Sequence, residues 1–101
     1  MRRPVVALRL ADLHGPAGGT TEPPRHIWWS GAPTVSSDHL GQTAVFYESV
    51  LDTGSAKDLA DWLNPALLTE LWPTLGVRRD RQARWEEVNP QLAARKAAAA
   101  A

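Results

Sequence analysis

A chain of 101 residues, 44% apolar and 22% charged, is the size of one domain, with apolar surface enough for one modest core. The formal net charge is zero and there is no cysteine, which excludes disulfides and thiolate metal sites and is compatible with a reducing cytoplasm. No run approaches the ~20 apolar residues of a membrane span, and Arg9 and Asp12 interrupt the apolar residues after Met1-Arg2-Arg3-Pro4-Val5, so a signal peptide is not expected and a cytoplasmic location is.

The charges are segregated. Residues 1–37 set four arginines against Asp12 and Glu22, +2; residues 38–73 are at −5; residues 74–101 set five arginines and Lys96 against Asp80, Glu86 and Glu87, +3. A basic end attracts a nucleic acid or an acidic protein, or pairs with the chain's own acidic middle.

In chain order, residues 4–13 read as a strand, with Val6, Leu8 and Leu10 on one face and Ala7, Arg9 and Ala11 on the other. Residues 14–24 are a loop containing Gly18-Gly19 and Pro23-Pro24. Residues 25–29, with Ile27, Trp28 and Trp29, read as a second short strand. The two strands are expected to pair as a long-looped antiparallel hairpin whose one face lies on helices, since a lone two-stranded sheet is marginal in water. Residues 30–41 form a polar linker.

A helix comes next over about 42–52, where Phe46 and Val50 are four apart, as are Tyr47 and Leu51; Gly54 ends it. Ser55 and Asp58 resemble a capping box opening a second helix with Leu59, Trp62 and Leu63 on one face. Asn64-Pro65 opens a third, carrying Leu67, Leu68, Leu71 and Trp72, and Pro73 stops it. Asp80 is expected to cap a fourth helix through Val88. Asn89-Pro90 opens the last, whose Ala97–Ala101 tail has high helix propensity, nothing to pack against, and should fray. The expected architecture is α+β, one small domain: an N-terminal β-hairpin over 1–29, a linker over 30–41, and four to five short helices over 42–96.

Candidate chemistry is sparse. Ser36-Ser37-Asp38-His39 holds the letters of a hydrolytic triad, but neighbours in a linker do not converge as nucleophile, base and carboxylate must. His14, His26 and His39 lack metal-ligand spacing, with Asp12 and His14 the best pair on offer. Gly15–Thr21 is followed by Glu22-Pro23-Pro24, not by the lysine and helix of a phosphate loop. Asp58, Asp61 and Glu70 read as capping or solvated groups. Leu59–Trp72 has helix-turn-helix spacing, but its second helix is apolar and acidic and would be core. No catalytic residue, metal or cofactor is expected.

Two surfaces suggest binding. Arg78, Arg79, Arg81 and Arg84 lie beside Trp85, a grouping that can meet carboxylates or grip phosphates while the indole stacks. Trp28 and Trp29 are neighbours on an expected strand, so one faces away from the core and offers a hot-spot side chain or a self-association surface.

The pattern Tyr47-Glu48-Ser49-Val50-Leu51, Gly54-Ser55, Asp58-Leu59, Trp62-Leu63-Asn64, Leu67-Leu68, Leu71-Trp72-Pro73 and Arg84-Trp85-Glu86 resembles a family of small, mostly uncharacterised actinobacterial proteins. Leu10–Ala17 and Trp29-Ser30-Gly31 fit it too, so the resemblance covers most of residues 8–87. Proteins of this kind often accompany nucleotidyltransferase-type toxins, so the resemblance implies an antitoxin role. The shared positions are core and capping residues, specific for fold and not for activity. This chain departs from the pattern at Gly76-Val77-Arg78-Arg79-Asp80, where a more apolar connector with proline is expected. The expected function is therefore that of a non-enzymatic, antitoxin-like protein that neutralises a toxin by direct binding. The alternatives are a nucleic-acid-binding regulator using Arg78–Trp85, and a phage-like or structural accessory subunit.

Overall fold

Short-range capping sets the starts of the second and third helices in this chain. In a computed structural model of the protein, which describes residues 6–28, 35–36 and 40–100, five α-helices carry the fold: α1 Leu40–Thr53, α2 Ala56–Trp62, α3 Pro65–Leu71, α4 Arg79–Val88 and α5 Pro90–Ala100. The capping box before α2 is complete: the Ser55 hydroxyl accepts from the Asp58 N–H and the Asp58 carboxylate from the Ser55 N–H. At α3 the Asn64 Oδ1 accepts from Ala66 and Leu67 N–H at 3.0 and 3.1 Å, with Pro65 preset in the first turn. Pro73 converts the end of α3 into the 3-10 turn Trp72–Thr74.

α1 and α2 are joined tightly because Gly54 has no side chain. Its N–H bonds the Val50 carbonyl at 2.8 Å, and a Cβ there would stand 2.6 Å from that oxygen. The helices close on one core: Phe46, Tyr47 and Val50 from α1, Leu68 from α3, Trp85 from α4 and Leu92 from α5 are all buried. Phe46 meets the rings of Trp28 and Trp62 edge-on, at centroid distances of 5.5 and 6.0 Å.

The expected α+β fold is corrected. Among the described residues no strand lies in 6–13 or in 25–28. Leu10–Asp12 is a 3-10 turn, and Arg25–Ile27 is a turn whose Ile27 and Trp28 N–H groups both reach back to the Pro24 carbonyl. The pairing present is a two-residue antiparallel bridge elsewhere, Thr20–Thr21 (β1) with Val35–Ser36 (β2), Thr20 opposite Ser36. Alternating apolar residues form a strand only against a partner edge. Here a helix-end side chain takes that place: Asn89 Oδ1 accepts from Leu10 N–H at 2.9 Å and its Nδ2 donates to the Leu8 carbonyl at 2.8 Å.

Two smaller expectations change as well. Asp80 does not precede α4 as a cap; the helix begins at Arg79, and the Asp80 Oδ1 accepts from the Arg81 N–H within the first turn. The expected linker ends earlier, since α1 starts at Leu40. The alanine tail is helical and exposed through Ala100.

Residues 6–28 dock on the ends of α2. The His14 N–H bonds the Ala60 carbonyl at 2.9 Å and the Gly15 N–H the Leu63 carbonyl at 2.8 Å, filling acceptors that a helix C-terminus leaves open. A Cβ on Gly15 would lie 2.5 Å from the backbone of Trp62, so only glycine allows the approach.

Candidate interaction surface

α1 presents a second face. Gly41, Val45, Glu48 and Asp52 recur at helical spacing on the side turned away from Phe46 and Val50. Opposite that face run residues 75–78 and the start of α4. Between them lies an open groove of about 420 Å³, its walls including Val45, Leu51, Val77, Glu48, Asp52 and Arg81.

Polar bonds hold the walls at a fixed distance. Glu48 Oε2 accepts from the Gly76 N–H at 2.7 Å, and Arg81 Nη1 donates to Asp52 Oδ1 at 3.0 Å. The Arg81 side chain is only 19% exposed, so its charge is part of the wall and not of the free surface. Val45 is 54% exposed on the rim, an aliphatic side chain in water between charges of both signs.

The structure separates the residues expected to form one basic, aromatic site. Arg78 is exposed at the α4 end of the groove, its Nη2 3.3 Å from Asp80, and Arg79 is exposed on the helix beside it without lining the groove. Arg84, on the same helix, holds Glu87 at 3.0 Å. Trp85 points the other way and is fully buried, so no base or partner side chain reaches its ring. Trp28 is also core, 7% exposed and packed on Phe46. Trp29 lies outside the described residues, as do Ser37, Asp38 and His39 of the triad-like run. Ser36 is tied into the bridge region, its N–H donating to Gln42 Oε1.

The histidines pair with carboxylates that spacing did not suggest. His14 Nε2 lies 2.8 Å from Asp61 and His26 Nε2 2.9 Å from Asp58, one turn apart on α2. Asp61 also holds Lys57. Burial opposes ionisation of Asp58, but the Ser55 N–H, His26 and the Ser55 hydroxyl outweigh it and hold its carboxyl below the ordinary value. Burial pushes the Tyr47 phenol up, partly offset by the Asn64 N–H that its oxygen accepts at 3.0 Å. Glu86 accepts from the Trp72 indole N–H at 2.9 Å.

The groove itself was missed in the sequence, although one signal pointed to it. Val45 is an aliphatic residue on the polar face of an amphipathic helix, a position that core packing does not explain. Among the described residues no group of three or more His, Asp or Glu side chains is placed to hold a metal ion, and no helix is long and apolar enough to cross a membrane. Comparison with protein families, curated proteins and solved structures returned no match.

Proposed function

We propose that this chain is a non-enzymatic, antitoxin-like protein that neutralises a cognate toxin by direct protein–protein binding. Its contact face is the groove between α1, residues 75–78 and the start of α4. The observation that carries the reading is the exposed Val45 set among Glu48, Asp52, Arg78 and Arg81. A polypeptide supplies an apolar side chain and charges of both signs, which suits this mixture.

A nucleic-acid strand suits it less. Its phosphates would meet Glu48 and Asp52 in the groove and Asp80 and Glu87 along α4. Arg78, Arg81 and Arg84 each already hold a carboxylate, and Trp85 offers no ring for stacking. The toxin as the kind of partner is drawn from the resemblance of residues 47–86.

The test is co-expression with the product of an adjacent gene. The expected result is growth arrest by that product alone, relief by this chain, and a co-purified complex that survives high salt. An adjacent product that is not toxic, or toxicity that this chain leaves untouched, overturns the reading. Binding to RNA that weakens steeply with salt would favour the regulator instead.

A further inference from the structure

We infer that residues 14–26 form a strap across α2 whose His26 end is fastened by a proton. Uptake by the His26 imidazole turns its hydrogen bond to Asp58 into an ion pair, and Ile27 and Trp28 are seated more firmly. This clamp is independent of the partner proposed above.

Both ends of the strap are fixed to one helix. His14 Nε2 lies 2.8 Å from Asp61 and His26 Nε2 2.9 Å from Asp58, and the two aspartates are three positions apart, neighbours on one face of α2. Between the two histidines, residues 17–20 are exposed. Imidazole is the side chain that ordinarily changes charge near neutrality. A neutral ring can already donate an N–H to a carboxylate; a protonated ring adds charge to that bond.

The two ends are not equivalent. Asp61 also holds the Lys57 ammonium, so a second cation at His14 meets a carboxylate that is already neutralised. Asp58 has no lysine or arginine within ion-pair distance among the described residues, and its other bonds come from the Ser55 N–H and hydroxyl. The Asp58 side chain is 13% exposed against 33% for Asp61, so solvent screens it less. Its carboxyl lies below the ordinary value of 3.8 and keeps its charge wherever imidazole titrates. On the strap the nearest charges in sequence are Glu22 and Arg25, both exposed. From α1, which meets this end through Ser49, Glu48 is spent on the Gly76 N–H and Asp52 on Arg81.

What the His26 end holds is core. The Ile27 and Trp28 N–H groups bond the Pro24 carbonyl, the Ile27 carbonyl accepts from Ser49, and Trp28 packs on Phe46. The seat carries a penalty: the buried Trp28 indole N–H has no hydrogen-bond partner among the described residues, and water supplies one on release. A modest fastening therefore counts at this end. The seated form binds the His26 proton more tightly than the released form. The fastening is thus present on the acid side of imidazole titration and lost as pH rises through it.

The experiment follows amide exchange of the whole chain by NMR from about pH 8 to about pH 5, with the intrinsic pH dependence of exchange divided out. Protection of the Ile27 and Trp28 amides should rise about two- to fivefold toward acid, the scale of an exposed ion pair. The α3 amides should change by less. His26→Gln and, separately, Asp58→Asn should flatten the rise at Ile27 and Trp28. His26 is exposed and Gln can still donate to Asp58, while Asn can still cap α2, so both variants should fold. Protection that does not change with pH, a rise that persists in His26→Gln or in Asp58→Asn, or an equal rise in α3 overturns the inference. A rise at His14 and Gly15 larger than at Ile27 and Trp28 does so as well.

Discussion

Residues 40–100 and residues 6–28 reach the same core by opposite means. The helices satisfy most of their backbone locally: their bonds run four residues back, and the caps of α2 and α3 lie two or three residues away, as Ser55 with Asp58 and Asn64 with Leu67. The N-terminal segment has one 3-10 turn and a tight turn, and its other anchors are distant. Leu10 reaches Asn89, Gly15 reaches Leu63, and the Ile27 carbonyl accepts from Ser49. Yet it buries Ile27 as fully as any helix buries its residues, and Leu13 nearly so. An irregular segment can complete a core when helix ends lend it their unfilled donors and acceptors. The two Asn-Pro pairs show the division of labour. Asn64 caps α3 with Oδ1 and gives Nδ2 to the Gly15 carbonyl, while Asn89 spends both ends of its amide on residues 8–10.

The largest expected effect breaks both regions together. Trp85→Ala empties a fully buried site shared by the helices and should cost about 3–5 kcal/mol, seen as one cooperative shift in a denaturant titration. A loss under about 1 kcal/mol would mean that α4 is not part of the common core. Gly15→Val should cost about 1–3 kcal/mol by forcing a side chain into the Trp62 backbone. The damage should be unequal: helical circular dichroism kept, and faster amide exchange concentrated at residues 10–15. Uniform loosening of α3 and α4 as well would dissolve the contrast between the regions.

Asn89→Ala should cost about 1–3 kcal/mol, since it leaves the buried Leu10 N–H without its acceptor. Exchange at Leu10 should rise while α3 stays protected. Asn64→Ala should cost about 1 kcal/mol and fray the first turn of α3 instead. The smallest effect is in acid. The Asp58 carboxyl is held below its ordinary value of 3.8, so the unfolded chain binds its proton first. The stabilisation it gives is therefore full above that value and fades as pH falls through the lower folded value. Asp58→Asn should flatten the acid limb of a stability-against-pH curve measured on the whole chain. An unchanged limb would show that the Ser55 and His26 bonds to this carboxylate contribute nothing.

How much of the fold is legible in the chain depends on the range of each interaction. Residues 55–65 specified two helix starts outright, because a cap and its amides sit within three positions of one another. The apolar faces around Phe46, Leu59 and Leu68 were equally plain, since helical spacing repeats every three to four residues. Residues 6–13 form no strand because alternation at Val6, Leu8 and Leu10 states only that a strand would be amphipathic; whether one forms depends on a partner, and the partner here is Asn89. The arginines were legible as charge and the tryptophans as bulk. That Trp85 faces inward while Arg78 and Arg79 face out, and that Arg81 finds Asp52 29 residues away, was decided only when α1 and α4 met. Sequence alone determined the elements whose hydrogen bonds close within a turn; the docking of residues 6–28 and the groove beside Val45 belong to tertiary structure, because their bonds join groups that chain order leaves far apart.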